Sequence, residues 1–271
     1  MEEGMSMEWK CRSIPGIDYP IIDAHAHPYF NRDCPLSGPK DHDQYQQELS
    51  DAGISFFCGT FNLRNDGTDP EILRKENDIV LQWREHFGKH FYPGVNIHPN
   101  YPAASIAEVK RFYDLGFRWV GEIAGYVQGY RHYAVPEMDP ILETVSDLGM
   151  ILNIHPSTVE DVDRLLSRFP RLKVVIAHPG SFGCDISYSL AEKHPNAYWD
   201  LSGSGLSRWH MLRWGIDRIG AERILFGTDY PVINPMMNVC GVLAEPLTDA
   251  ERKAVFHDNF LRLTGYDPVS N

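Results

Sequence analysis

Eight short apolar runs alternate with amphipathic segments along this 271-residue chain, and the alternation constrains the fold more than any other feature. Each run is rich in Ile, Val and Phe. The runs are residues 20–26, 54–60, 91–97, 118–123, 150–154, 173–177, 197–201 and 223–227, and helical patterns cover residues 70–87, 105–115, 139–148, 158–168 and 207–219. Strands that alternate with helices predict βαβ units and a parallel sheet.

The spacing of the runs selects between two parallel architectures. The 202 residues from His27 to Asp229 contain seven steps of about 29 residues, close to the roughly 30 residues of a βαβ unit. Eight units without a Gly-rich dinucleotide-binding loop favour a closed (β/α)8 TIM barrel over an open sheet. No linker divides the chain, so residues 1–271 are predicted to form one domain, with 1–19 as an N-terminal extension and 248–265 as a final helix.

Charge and cysteine content exclude several classes of protein. The chain has 25 Lys and Arg residues against 37 Asp and Glu, a net charge of −12, which disfavours nucleic-acid binding. No apolar stretch is long enough for a membrane span, and the acidic N-terminus does not resemble a secretory signal. Five scattered cysteines indicate free thiols. We therefore expect a cytoplasmic protein with a small-molecule substrate and no nucleic-acid or membrane partner; a homo-oligomer is compatible with the sequence.

Two histidines at the end of the first run can share one metal ion. Alternate residues of a strand point to the same face, so His25 and His27 lie side by side with Asp23 behind them. Two adjacent imidazoles are a suitable pair of nitrogen ligands for a divalent metal.

Four later strands each carry one further ionisable residue. Glu122 lies within the fourth run, and His155, His178 and Asp229 follow the fifth, sixth and eighth runs. A proline comes one or two positions after each of the last three, which marks the end of a strand because proline cannot continue a ladder. The carboxyl ends of barrel strands surround a single mouth, where active sites are built. The sequence therefore predicts that these residues converge with the two histidines of the first run.

Such a cluster is costly to bury unless its charges are compensated. A shared metal compensates them, because neutral imidazoles bind it and carboxylates neutralise it. A buried network of histidines and carboxylates without metal is the alternative. Nitrogen and oxygen ligands suit zinc, our first expectation, and also manganese, iron or cobalt. The number of ions, one or two, stays open.

The ligand pattern resembles that of the amidohydrolase superfamily, and most closely the group called amidohydrolase 2, which contains small-molecule hydrolases, lactonases and decarboxylases. Segments 226–231 and 258–263 look particularly like that group, and the resemblance covers nearly all of residues 20–265. It implies the barrel fold and metal dependence, and it is weakly specific for substrate.

The resemblance also implies roles for individual residues. His25 and His27 would bind the metal, and Asp229 would complete the site and take a proton from the attacking water. His155 would be a further ligand. His178 would either bind a second metal or polarise the substrate carbonyl.

Glu122 bears on the choice of reaction. Binuclear members of the superfamily carry a carboxylated lysine or a bridging glutamate on the fourth strand, whereas decarboxylases of the group generally need one metal and no such glutamate. Glu122 therefore favours a metal-dependent hydrolase of a small ester, lactone or amide. Non-oxidative decarboxylation of an aromatic or unsaturated acid is the first alternative, and a barrel that binds metal without chemistry is the second. Segments 96–99 and 121–123 also resemble TatD-type metal-dependent nucleases, a third alternative that the net charge disfavours.

Loops that follow the strands are expected to contact the substrate. The candidates are His98, Tyr126, Arg131 and Arg208. A guanidinium beside aromatic rings suits a planar carboxylated molecule. No Gly-x-Ser-x-Gly nucleophile elbow is present, so covalent serine catalysis is poorly supported.

Overall fold

Eight parallel strands alternate with helices in the computed structural model, which describes residues 8–30, 38–64, 67 and 69–268. Cys34 lies outside the described residues. The strands are β1 (Ile21–Ala26), β2 (Ile54–Gly59), β3 (Phe91–Pro93), β4 (Trp119–Ile123), β5 (Ile151–Ile154), β6 (Lys173–Ile176), β7 (Ala197–Asp200) and β8 (Ile224–Leu225). Each predicted run contains one of them, and the predicted (β/α)8 TIM barrel is confirmed.

The strands form two parallel sheets that backbone hydrogen bonds join into one ring. One sheet has the order β1-β2-β3 and the other β4-β5-β6-β7-β8. Between β3 and β4, Val95 N donates to Trp119 O at 3.0 Å. Between β8 and β1, Ala24 N donates to Phe226 O at 2.9 Å, and His27 N donates to Tyr230 O at 2.7 Å. These two seams close the barrel, although β3 and β8 are shorter than their predicted runs.

Helices follow the strands and surround the ring. They are α1 (His42–Asp51), α2 (Pro70–Phe87), α3 (Pro102–Asp114), α4 (Asp139–Asp147), α5 (Val159–Arg168), α6 (Cys184–Lys193), α7 (Met211–Ile219), α8 (Pro235–Ala244), α9 (Asp249–Lys253) and α10 (Asn259–Thr264). The five predicted helices correspond to α2, α3, α4, α5 and α7. A π-helical segment, Ala254–Asp258, joins α9 to α10 within the predicted final helix.

Helix starts follow from local sequence. The Asp69 side chain accepts a hydrogen bond from Glu71 N, and Pro70 occupies the first turn of α2, where a missing N–H costs nothing. The Thr158 side chain accepts from Asp161 N at the start of α5 in the same way. Such caps fix where each loop ends, and the loops at this end of the barrel carry the polar cluster.

Residues 8–19 contain no helix or strand but pack on the barrel. The Trp9 ring stacks on His90 with ring centroids 4.6 Å apart, and Trp9 Nε1 donates to Ile54 O at 3.1 Å. The predicted extension therefore covers the start of β2. Within the described residues, none of the helices is both long enough and apolar enough to traverse a bilayer.

Gly59 provides a test of barrel packing. A Cβ on Gly59 would lie 1.7 Å from Ala26 O, so an alanine there forces β2 away from β1. We expect Gly59→Ala to lower the free energy of unfolding by about 1–3 kcal/mol or more in urea denaturation, the usual cost of overpacking. Gly205→Ala is the control, because its Cβ would meet its nearest neighbour at 3.3 Å. Equal stability of the two variants would contradict the close approach of the strands.

Candidate metal centre

Glu122, on β4, lies at the centre of the polar cluster in the barrel mouth. Its Oε2 atom is 3.4 Å from the Nε2 atoms of both His25 and His27. Its Oε1 atom is 3.1 Å from His155 Nδ1 and 3.3 Å from His178 Nε2. One carboxylate thus faces two histidine pairs, one pair with each oxygen.

Asp229 lies on the open side of the same cluster. Its Oδ1 atom is 3.2 Å from His27 Nε2 and its Oδ2 atom is 4.0 Å from His178 Nε2. The Asp229 side chain is 14% exposed against 4% for Glu122, so Asp229 is the carboxylate more open to an incoming molecule. The structure therefore brings all six predicted ligands into one group. They are His25, His27, Glu122, His155, His178 and Asp229.

Two of the cluster residues have strained backbone. His178 and Asp229 have φ angles of 56° and 67°, in the left-handed region that residues other than glycine rarely adopt. Such conformations cost of order 1–3 kcal/mol and persist where the surrounding structure enforces them, often at functional sites. Here they turn both side chains into the mouth as the chain leaves β6 and β8.

The donor set fits a divalent metal. Two groups of three residues each have one ligand atom apiece within 4.8 Å of one another, namely His25, His27 and Glu122, and Glu122, His155 and His178. Imidazole nitrogens and carboxylate oxygens are ligands for zinc, manganese and iron. Three of the four rings present Nε2 to the cluster, whereas His155 presents Nδ1. The arrangement can hold one ion, or two that share Glu122.

Hydrogen bonds behind the cluster orient the rings. His27 Nδ1 lies 3.2 Å from Thr60 O. A carbonyl oxygen only accepts hydrogen bonds, so Nδ1 carries the donated proton and Nε2 faces the cluster. His25 Nδ1 lies 3.1 Å from Asp200 Oδ2 on β7. The sequence analysis missed Asp200, although a carboxylate at the end of an apolar run is the same signal that singled out Glu122.

Asp23, on the same face as His25, has a different function from the ligands. Its carboxylate accepts hydrogen bonds from His25 N and Thr228 N at 3.0 Å each and from Thr228 Oγ1 at 2.5 Å. Burial, partly offset by these bonds, raises its pKa to about 7. Asp23 therefore ties β1 to the segment after β8 and holds His25 and Asp229 near each other.

The predicted substrate residues lie at different distances from the cluster. Tyr126 lines a cavity of about 190 Å³ directly over it, together with Tyr29 and Asn62. Arg131 is exposed and lines an adjoining cavity of about 380 Å³, which shares Tyr126 and His155 with the first. These two predicted residues can therefore be reached from the metal centre.

His98 and Arg208 lie elsewhere. His98 Nε2 is 2.9 Å from Gln128 O, and its Nδ1 accepts from Asn100 N, so both ring nitrogens are bonded to backbone. The expectation that His98 contacts substrate does not fit this geometry; His98 instead braces the loop that carries Tyr126. Arg208 lines a separate cavity of about 630 Å³ with Trp209, one that shares none of its described lining with the cavity over the cluster.

The carboxylates and imidazoles of the cluster shift one another's pKa values. Burial alone would raise the pKa of Glu122, but His25 and hydrogen bonds from His155 and His178 hold it well below its usual range. Burial alone would lower the pKa of His27, but Asp229 and Glu122 outweigh burial and raise it to about 9. A metal that binds here would therefore have to displace protons from the histidines.

Metal affinity should rise with pH because these protons must leave. A His27 pKa of about 9 means that the free site holds its proton at neutral pH, and a ring nitrogen binds metal only when neutral. We expect affinity for Mn²⁺ or Zn²⁺ to increase from pH 6 to 9 by about tenfold per pH unit for each proton released. Chelator-competition titrations at several pH values measure this. Affinity independent of pH over that interval would contradict the protonated free site.

The fold resembles several decarboxylases, of which two were solved with manganese. The chain superposes on 5-carboxyvanillate decarboxylase from Novosphingobium aromaticivorans, a complex with manganese and 4-hydroxy-3-methoxy-5-nitrobenzoic acid, with TM-score 0.78 and 15% identity over 97% of this chain and 100% of the other. For 2,6-dihydroxybenzoate decarboxylase from Rhizobium, the TM-score is 0.74 and the identity is 19%, over 91% of this chain and 98% of the other. For a dihydroxybenzoic acid decarboxylase from Polaromonas with bound manganese, the TM-score is 0.72 and the identity is 19%, over 91% of this chain and 97% of the other. At these identities the likeness shows the fold.

Sequence comparison identifies the family. No curated protein sequence matches the chain significantly. A family model described as amidohydrolase matches residues 22–265. The alternative of a TatD-type nuclease is wrong, because the amidohydrolase match covers the segments on which it rested. The predicted amidohydrolase resemblance is confirmed, and the chain belongs to the amidohydrolase family of metal-dependent enzymes.

Proposed function

We propose that the protein is a metal-dependent decarboxylase that acts, without an oxidant, on a small aromatic carboxylic acid. The observation that carries the proposal is the cavity over the metal centre, which tyrosine rings line above a cluster of histidines and carboxylates. Support also comes from the fold, whose relatives include decarboxylases of substituted benzoic acids. Decarboxylation is the first alternative of the sequence analysis, whose leading prediction is hydrolysis of an ester, lactone or amide.

The cavity suits a single small ring. Its volume of about 190 Å³ is below the roughly 300–1,000 Å³ of pockets for drug-sized ligands. Tyr29 and Tyr126 contribute aromatic rings to its lining, and Asn62 contributes an amide. No arginine or lysine is among the described residues that line it. The negative charge of a bound carboxylate must therefore be met by the metal and by a protonated imidazole.

His178 can supply that protonated imidazole. Burial lowers its pKa, but the hydrogen bond and charge of Glu122 outweigh burial and raise it above the usual value. Its Nε2 atom faces the cavity between Glu122 and Asp229. In the proposed reaction His25, His27, Glu122 and Asp229 would hold the metal, and His178 would face the substrate. A bound divalent metal would neutralise the substrate oxygens and withdraw electron density from the ring.

Asp229 is the proposed proton carrier. Decarboxylation breaks the bond between the ring carbon and CO₂ and forms a C–H bond at that carbon, so one proton must be delivered and later replaced from solvent. Asp229 is the more exposed of the two carboxylates, whereas Glu122 is enclosed by four imidazoles. Positioned acid–base groups contribute about 10²–10⁴-fold to rate.

Hydrolysis at a two-metal centre is the second candidate, because one observation favours it. The two oxygens of Glu122 face different histidine pairs, as a carboxylate that bridges two ions would. In that reaction Asp229 would accept the proton of the attacking water, as the sequence analysis predicted. The two candidates differ in metal stoichiometry and in whether water enters the product.

A substrate screen separates the two candidates. Protein purified without chelators is analysed for metal, with manganese the first expectation and zinc the second, and is then assayed with hydroxybenzoic acids, lactones and amides. Decarboxylation predicts CO₂ release with no ¹⁸O from labelled water in the aromatic product, and a substantial loss of rate after metal removal that manganese restores. Release of an ¹⁸O-labelled acid from a lactone or amide would instead identify the hydrolase.

The Asp229→Asn variant tests the proton carrier in either reaction. Asparagine has nearly the same size and retains a carbonyl oxygen for the metal, but it cannot carry the proton. We expect metal content near that of the wild type and a turnover at least about 10²-fold lower. Turnover near the wild-type rate with metal bound would transfer the role to His178.

The cytoplasmic location predicted from the sequence is also proposed. Its support is the state of the cysteines, since Cys11, Cys58, Cys184 and Cys240 are all free thiols. Free thiols are usual in reducing compartments.

A further inference from the structure

Asp200, at the end of β7, is a buried carboxylate that the proposed reaction does not use. It is 0% exposed and takes part in four hydrogen bonds, in which an ionised carboxylate can only accept. Its Oδ2 atom lies 3.1 Å from His25 Nδ1 and 3.0 Å from Asn153 Nδ2. Its Oδ1 atom accepts from Ser202 N at 3.0 Å and from the Ser202 hydroxyl. All its neighbours at these distances are therefore donors.

Ser202 extends this network to a second histidine of the metal centre. Its Oγ atom is 3.1 Å from His25 Nδ1 and 3.0 Å from His178 Nδ1. A serine hydroxyl has one proton and two lone pairs. Because the proton is donated to Asp200, which accepts only, both imidazole contacts to Oγ must be donated by the rings.

The count of protons fixes both tautomers. His25 and His178 must each carry a proton on Nδ1, which leaves each Nε2 atom facing Glu122, at 3.4 and 3.3 Å. His25 belongs to one of the two three-residue ligand groups and His178 to the other. We propose that Asp200, through Ser202, is a positioning residue that sets the tautomers of one histidine in each half of the metal centre.

The proposal rests on the metal site of the proposed function and not on the substrate or the reaction. The same constraint applies whether His178 binds a metal or holds a proton toward the substrate, because in both cases Nε2 is the nitrogen that faces the cavity. Failure of the decarboxylase assignment would therefore leave this proposal intact, because metal affinity and histidine tautomers are measured without a substrate.

Asp200→Asn is the decisive substitution because an amide cannot satisfy all four donors. If the amide nitrogen faces Ser202, the hydroxyl must turn and donate to the Nδ1 atom of His25 or His178, which reverses the tautomer of that ring. If it faces His25, that ring must accept at Nδ1 and places its proton at Nε2. We expect Mn²⁺ and Zn²⁺ affinity, measured by chelator competition, to fall about 10–100-fold, the usual effect of such outer hydrogen bonds.

Nitrogen-15 spectra of the zinc-loaded protein report the tautomers directly. The wild type should show His25 and His178 protonated at Nδ1, and Asp200→Asn should lose this signature in at least one of them. Ser202→Ala should release His178 alone, and Ser202→Thr, which keeps the hydroxyl, should restore it. If Asp200→Asn lacks the wild-type circular dichroism spectrum, it is set aside, and Ser202→Ala and Ser202→Thr test the proposal in its place.

Asp161→Asn is the matched control. Asp161 is also a buried carboxylate that accepts backbone N–H groups near the barrel mouth, from Tyr133 and Ala134, but it contacts none of the four clustered histidines. Its replacement should leave metal affinity within about twofold. Wild-type metal affinity and unchanged tautomers in a folded Asp200→Asn variant, or in Ser202→Ala when Asp200→Asn does not fold, would overturn the proposal.

Discussion

The attraction between one buried carboxylate and four imidazoles determines how this barrel mouth is organised. Glu122 is 4% exposed, and a carboxylate so far from water is stable only if positive charge or hydrogen-bond donors surround it. Histidines from β1 and from the segments after β5 and β6 provide both. The outer hydrogen bonds of Asp23, Thr60 and Asp200 then fix the strands and rings around that centre.

Much of the fold could be predicted because its signals are local. Apolar runs with regular spacing predict strands, and a proline after His155 or His178 marks where a strand ends. The lengths of β3 and β8 could not be predicted, since they depend on which backbone groups pair across the two seams. The sequence gives no local sign that Val95 and Phe226 complete the ring.

The convergence of the predicted ligands follows from the sequence, because a residue type and its place on a strand are sufficient to predict it. The six proposed ligands lie in one cluster because the ends of parallel strands meet. His98 has the same signal, a histidine after a strand, yet its ring is bonded to the backbone of Asn100 and Gln128. Only the path of the loop after β4 distinguishes His98 from the clustered histidines, and that path depends on long-range packing. The choice between decarboxylation and hydrolysis is likewise a matter of substrate contacts that no local pattern specifies.

The seam between β8 and β1 makes metal acquisition a late event in the life of the chain. Ribosomes add roughly 5–20 residues per second, so Asp229 emerges roughly 10–40 s after His27. Until the last strand docks, the cluster lacks Asp229, and Ala24 and His27 lack the backbone partners that hold β1 in the ring. Assembly of the full ligand set therefore waits for the last strand, and we expect selection among metals to take place on the finished barrel.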